Sequence, residues 1–173
     1  MYKRQVYWCT HCETALAEAE IEYAEKKSFS IYVKFPYVSE KKVTLPAGVD
    51  PKQAFAVIWT TTPWTLPSNT AVCVGPKIDY VAVQSYNAYT GEPITVVLAK
   101  ALLNALFNPK AADLKLEDYK AGDKLVPFKV IAEYKGADLI GMEYEQLIPW
   151  VNPGEGAFRV ISGDYVTTED GTG

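Results

Sequence analysis

The side chains with most capacity for chemistry are concentrated in one run, Trp59-Thr60-Thr61-Thr62-Pro63-Trp64-Thr65-Leu66-Pro67-Ser68-Asn69-Thr70. A simple turn needs only about one or two residues of this kind. Pro63 and Pro67 fix φ and remove two backbone donors, so the segment is stiff. Thr60, Thr61, Thr62 and Thr65 present hydroxyls that donate and accept hydrogen bonds. Trp59 and Trp64 flank them with aromatic faces. A rigid, neutral, hydroxyl-lined surface of this kind suits a substrate that is weakly charged and carries hydroxyls and an aromatic base. The same residues also suit plain structure, with threonines as β-branched strand fillers and prolines closing a sheet edge. The residues alone leave both readings open.

A second cluster is Cys9-Thr10-His11-Cys12, three soft ligands within four residues. Structural zinc sites want four ligands, usually from two such clusters. One cluster is present, and Cys73 or a residue outside the chain would have to complete it, so no metal is expected here. Cys73 lies in the apolar run Thr70–Val74 and reads as a small core residue. Three cysteines, an odd number, make no disulfide framework and fit a reducing cytoplasm.

The elements that must hold these residues are mostly strands. Phe29, Ile31, Val33 and Phe35 alternate with polar or exposed positions, the period of two of a half-buried strand, and Pro36 ends it or marks an edge. After a polar turn region with Pro46, Gly48 and Pro51, the run Ala54 to Trp59 is continuously apolar, as in a strand buried on both faces, and it feeds straight into Thr60. Further strands are expected at Thr70–Val74, Tyr80–Gln84, Ile94–Leu98, Val126–Tyr134 and Phe158–Ser162. Helix is expected in Cys9–Tyr23, where Ala, Leu and Glu dominate, and in Ala99–Phe107, stopped by Asn108 and Pro109. The fold class is therefore β-rich α+β, with a barrel-like core and helices outside it.

At 173 residues, 49% hydrophobic and 22% charged, the chain fits one folded domain. A formal net charge of -4 argues against a protein that grips nucleic acid by a general basic field. It leaves room for a module that receives only the end of an RNA held elsewhere. No apolar run approaches the roughly 18 residues needed to span a membrane, and the first ten residues lack a signal-peptide core. A soluble cytoplasmic protein with no membrane partner is expected.

The string WTTTPWTLPSNTAV resembles the threonine-rich motif of the isoleucyl-tRNA synthetase editing domain, the module inserted into that class I aminoacyl-tRNA synthetase. Three further stretches are similar to family segments: WCTHCETALAEAEIEY at the entry from the nucleotide-binding core, Lys135–Tyr144 (KGADLIGMEY), and GDYVTTEDGTG. Together they span almost the whole chain. Valyl and leucyl relatives have Thr-Arg-Pro where this chain has Thr62-Pro63-Trp64, which points to the isoleucyl branch.

The resemblance implies a barrel-like editing domain over residues 1–173, with 1–27 as the junction to the core. It implies hydrolysis of valine mischarged on tRNA(Ile), and leaves valyl adenylate open as a second substrate. The need is one of magnitude: a missing methylene is worth only about 1–3 kcal/mol, and the family is itself the reference case, with about 150-fold discrimination known for it rather than deduced from this chain. By motif, Thr60, Thr61 and Thr62 would line the editing pocket as its catalytic residues. Trp59, Trp64, Thr65 and Asn69 would bind or support substrate. The partners implied are the valine-bearing 3′ end of tRNA(Ile) and the remaining domains of the synthetase.

No cofactor is implied for editing. ATP and magnesium belong to the parent enzyme, which ligates isoleucine to tRNA(Ile), and zinc elsewhere in that enzyme is left open. The HIGH and KMSKS strings of a class I ATP site are absent, so activation is expected of a separate core. In the family the glycine-rich block matched by Asp170-Gly171-Thr172-Gly173 leads on to a histidine and then an aspartate that binds the substrate's amino group. This chain ends at Gly173 and its one histidine is His11, so weak or no hydrolysis by the chain alone is expected. The alternative reading is a noncatalytic module that binds an RNA 3′ end or a nucleotide.

Overall fold

The computed structural model describes residues 5–25, 27–38 and 49–173. The expected turn residues Pro46 and Gly48 lie outside that range. Among the described residues nine strands form three sheets. A hairpin pairs β1 (Tyr7–Cys9) with β2 (Thr14–Leu16). The central sheet has five strands in the order β3 (Ile31–Pro36), β4 (Ala54–Thr60), β7 (Pro93–Ala99), β6 (Asp79–Tyr86) and β8 (Lys129–Lys135). β5 (Ala71–Val74) pairs in parallel with β9 (Arg159–Ser162). Among the described residues helix is confined to short turns, chiefly α1 (Leu103–Leu106) and α2 (Gly136–Leu139). The β-rich α+β reading holds, and the barrel-like arrangement is open.

The inner strands of the central sheet are buried on both faces, and they read accordingly, while the edge strands β3 and β8 are largely exposed. In β6, Tyr80, Val81, Ala82 and Val83 are all at or below 2% exposure, so successive side chains supply opposite faces. Tyr80 and Ala82 join Phe35, Ala54, Ala56 and Val97 on one face, beneath Val72, Val74, Leu139, Met142, Tyr144 and Val160. Val81 and Val83 join Val96 and Leu98 on the other, beneath Ala111, Phe128 and the α1 region. Pro36 ends β3, an edge strand where its missing N–H breaks no ladder. Among the described residues no helix is long and apolar enough to cross a membrane.

Two helix expectations are corrected. Cys9–Tyr23 forms the β1–β2 hairpin and one 3-10 turn, Glu18–Glu20. Its turn places Glu13 at φ 55, and the Cys12 N–H donates to Cys9 Sγ at 3.4 Å, local bonding that competes with a helix too short to stand alone. Ala99–Phe107 is not one helix: Ala99 finishes β7 opposite Tyr80, a 3-10 turn covers Lys100–Leu102, and α1 follows. Asn108 caps the next turn, its side chain accepting from the Lys110 N–H at 3.1 Å.

Buried phenols make the fold sensitive to alkali. Burial pushes the Tyr144 hydroxyl up to about 12, and raises Tyr37 as well. The native state therefore prefers the neutral phenol, whereas in the unfolded chain it ionises near 10. The stabilisation is fully present below pH ~10 and is lost progressively as pH climbs towards ~12. Urea midpoints should be flat, as far as these groups go, up to that point and fall above it. Tyr144→Phe should shallow the fall, and an unchanged alkaline slope in that variant would contradict the assignment.

Candidate functional site: the threonine loop and the cleft beside it

β4 carries the loop. Its first half, Ala54 to Ala56, pairs in parallel with Thr95 to Val97 of β7. Beyond Ala56 the two strands part: Val57 to Thr60 pair only with Lys34 to Ile31 of β3, while Leu98 and Ala99 pair only with β6. The parting leaves a cleft at the carboxyl ends of two parallel strands, the place where open sheets accept ligands. The chain's last residues enter it, and the Ala99 N–H donates to the Thr172 carbonyl at 2.8 Å. Gly171 (φ 76) lies beside Trp59, where an added Cβ would stand 3.6 Å from the ring.

The cleft encloses a cavity of about 420 Å³, within the size range of small-molecule sites. Trp59 and Asn69 of the predicted set line it, with Asp170, Gly171, Thr172 and Gly173. The wall is otherwise mostly apolar, from Val57, Ile58, Val72 and Leu139 among others. Thr60 is half-buried at the end of β4. Thr61, Thr62, Trp64 and Thr65 are exposed on the ridge that follows, with Trp64 at 73%. Of the seven predicted residues, the structure thus places Trp59 and Asn69 in the cavity wall, Thr60 at the end of β4, and Thr61, Thr62, Trp64 and Thr65 on the ridge, outside that wall.

The ridge is stiff, as its prolines imply. Thr60 Oγ1 accepts from the Thr62 N–H at 3.0 Å and lies 3.3 Å from Thr62 Oγ1. The chain then turns through a 3-10 segment, Pro63–Ser68, with Pro63 at its start where a missing N–H costs nothing. The Thr62 carbonyl accepts from both the Thr65 N–H (3.0 Å) and the Thr65 hydroxyl (2.7 Å). The Asn69 N–H closes the turn on the Leu66 carbonyl at 3.1 Å, and Asn69 Nδ2 donates to the Ala71 carbonyl at 3.1 Å. The result is a row of neutral hydroxyls, those of Thr60, Thr62 and Thr65 tied by bonds within the ridge, that can orient a water or a substrate hydroxyl without a charged group.

Local sequence did not reveal everything around the loop. Tyr144, 75 residues away, donates its hydroxyl to Asn69 Oδ1 at 2.6 Å. Asp170, readable as an exposed turn residue, is exposed and also lines the cavity. Tyr144 ends one of the stretches noted for family similarity, but nothing in its neighbours signals a role at the loop.

Of the cysteines, only Cys73 lies at the cavity, in its wall. Cys9 and Cys12 sit in the β1–β2 turn, and the N–H groups of Cys12 and His11 lower the Cys9 thiol below its ordinary pKa. Cys73, on β5, is half-buried and receives the Tyr165 hydroxyl at 2.9 Å. Among the described residues no group of three or more His, Cys, Asp or Glu side chains could hold a metal ion.

Three comparisons bear on these features. Over 151 residues the chain is 75% identical to the isoleucine–tRNA ligase of Bacteroides fragilis, a match covering 87% of this chain and 13% of that protein. It is 80% identical over 131 residues to the isoleucine–tRNA ligase of Bacteroides thetaiotaomicron (69% of this chain, 11% of that protein). With that of Symbiobacterium thermophilum it shares 45% identity over 171 residues (98% and 15%). The chain thus spans roughly an eighth of the length of such relatives. Among solved structures, GlLeuRS-CP1 superposes with a TM-score of 0.52 at 18% identity, covering 84% of this chain and 51% of that one, a likeness of fold. No protein-family model matches the chain.

Proposed function

We propose, from the premise that this chain is homologous to one segment of the isoleucine–tRNA ligases and shares its fold with GlLeuRS-CP1, that it is an editing domain hydrolysing valine from mischarged tRNA(Ile). Residues 1–173 are read as that one domain, residues 1–27 joining it to the rest of a synthetase that ligates isoleucine to tRNA(Ile) with ATP and magnesium. One observation carries the reading: the hydroxyls of Thr60, Thr62 and Thr65 are hydrogen-bonded into the ridge beside a cavity of about 420 Å³ at the splayed ends of β4 and β7.

The reaction is simple in its bookkeeping of atoms. Water attacks the ester carbonyl, the bond between that carbon and the ribose oxygen breaks, and a proton passes to the ribose oxygen. Valine and a tRNA with a free terminal hydroxyl result. An aminoacyl ester is already activated, so no covalent nucleophile is needed. Thr60, Thr61 and Thr62 position the water and stabilise the developing oxyanion, Trp59 and Asn69 bound the pocket, and Trp64 and Thr65 support the ridge. The rate gain comes from proximity and preorganised hydrogen bonds.

The test is a chimera in which this chain replaces its counterpart in the Bacteroides fragilis ligase. Valyl-tRNA(Ile) and isoleucyl-tRNA(Ile) are incubated with it, and the surviving ester is measured. The valine ester should be lost at least ~10-fold faster, in line with the 1–3 kcal/mol that one methylene provides. Tight binding of tRNA with no loss of either ester would replace the hydrolase reading by a module that holds an RNA 3′ end. Equal loss of both esters would remove the sieve.

A further inference from the structure

We propose that Tyr144 is a positioning residue for the threonine loop, its hydroxyl fixing Asn69 and, through Asn69, the exit of the Pro63–Ser68 turn. The proposal rests on the reading of that loop as the editing site.

Asn69 is bonded at three points. Its N–H closes the turn on the Leu66 carbonyl, its Nδ2 donates to the Ala71 carbonyl, and its Oδ1 accepts from Tyr144. The last two bonds also fix which way the amide faces. Turned over, it would set Oδ1 against the Ala71 carbonyl, two acceptors in contact. Asn69 lines the cavity as well, so its orientation decides which polar atoms meet a ligand there.

Tyr144 is itself rigidly held. It is 2% exposed, and its ring meets Phe35 edge-on at 4.9 Å between centroids and Phe158 at 6.0 Å. Its N–H donates to the Phe158 carbonyl at 2.9 Å, and the Phe158 N–H donates to the Thr70 carbonyl at 2.7 Å. Phe158 adopts φ 59, a left-handed conformation unusual for an aromatic residue, which the bonds on either side of it sustain. Tyrosine and Phe158 thus brace the two residues at the end of the loop, Asn69 by side chain and Thr70 by main chain. Packing alone would be served by phenylalanine at 144. A hydroxyl buried there is costly unless bonded, and its bond goes to Asn69.

The experiment compares Tyr144→Phe, Asn69→Ala and the double variant. Amide hydrogen exchange on the chain reads the loop directly, and deacylation in the chimera reads function. Tyr144→Phe keeps the ring contacts, so the urea midpoint should stay close to the parent's. Exchange of the Thr65 and Asn69 N–H groups should quicken about tenfold, reporting local opening. kcat for the valine ester should fall about tenfold with KM unchanged, the sign of lost alignment in the transition state rather than lost binding. The double variant should be no worse than Asn69→Ala, because the two residues act in series. Unchanged loop exchange in Tyr144→Phe, or additive losses in the double variant, would overturn the proposal. Failure of the parent chimera to cleave the valine ester would defeat the functional reading alone, and the exchange data would still decide the role of Tyr144.

Discussion

Thr60→Val should lower kcat for the valine ester by about 10²-fold and change the unfolding free energy by no more than ~1 kcal/mol. Valine matches threonine in shape and keeps the β-branch, so the pairing of Thr60 with Ile31 at the end of β3–β4 survives. What disappears is one oxygen. That oxygen accepts the Thr62 N–H at 3.0 Å and meets the Thr62 hydroxyl at 3.3 Å, and it is the bond that folds the chain from strand into ridge. The site is half-exposed, so water replaces the lost bond and little stability goes with it. Catalysis by position has no such recourse: a shift of about 1 Å in a group that aligns the water costs on the order of 10²-fold. Thr60→Ser restores the hydroxyl and should recover most of the rate. Single-turnover deacylation of valyl-tRNA(Ile) in the chimera measures this. A Thr60→Val rate equal to the parent's would remove the ridge from the mechanism.

How far the sequence foretells such a site depends on how local its parts are. The apolar run from Ala54, the alternation through Phe35 and the proline at 36 are properties of single strands, and β4 and β3 lie where those patterns put them, except that Phe29, expected in the alternation, lies before β3 and is 88% exposed. The stiffness of the ridge was equally readable, because Pro63, Pro67 and the threonine hydroxyls act on neighbours within about four residues. Cys9–Tyr23 was not, since its Ala, Leu and Glu content favours helix while the turn at Cys9–Glu13 and pairing of Tyr7 with Leu16 form a hairpin. Propensity differences of a few tenths of a kcal/mol per residue yield readily to such contacts. The cavity has no local signal at all. It exists because β4 and β7 share only Ala54–Ala56 and Thr95–Val97, and because Thr172 reaches Ala99 and Tyr144 reaches Asn69 across long stretches of chain. Motif similarity marked the loop, and only the fold shows what stands behind it.

The wall behind the cavity gives the most destabilising single substitution expected here, Gly136→Ala. At the first position of α2, alanine would ordinarily gain on glycine by up to about 1 kcal/mol. Space reverses the sign. A Cβ on Gly136 would lie 2.0 Å from the Gly75 carbonyl oxygen, 2.8 Å from its carbon and 3.0 Å from the Tyr80 ring. None of these can step aside cheaply. The Gly136 N–H donates to the Ile78 carbonyl at 2.9 Å, the Ala137 N–H to the Pro76 carbonyl at 3.1 Å, and the Gly75 N–H to the buried Tyr80 hydroxyl at 3.0 Å. Relieving the clash means parting the β5–β6 turn from the start of α2, and Leu139 of α2 and Tyr80 of β6 both line the cavity. Overpacking against backbone costs about 3 kcal/mol, the upper end of its usual range, which is a large share of the 5–15 kcal/mol typical of a domain. Gly154→Ala is the control: it has open space around it but φ 92, so only conformational strain of roughly 1 kcal/mol applies. Urea midpoints should therefore fall in the order parent, Gly154→Ala, Gly136→Ala. A Gly136→Ala midpoint at or above that of Gly154→Ala would mean that the Gly75–Gly136 contact relaxes freely, and that the cavity wall is softer than its hydrogen bonds imply.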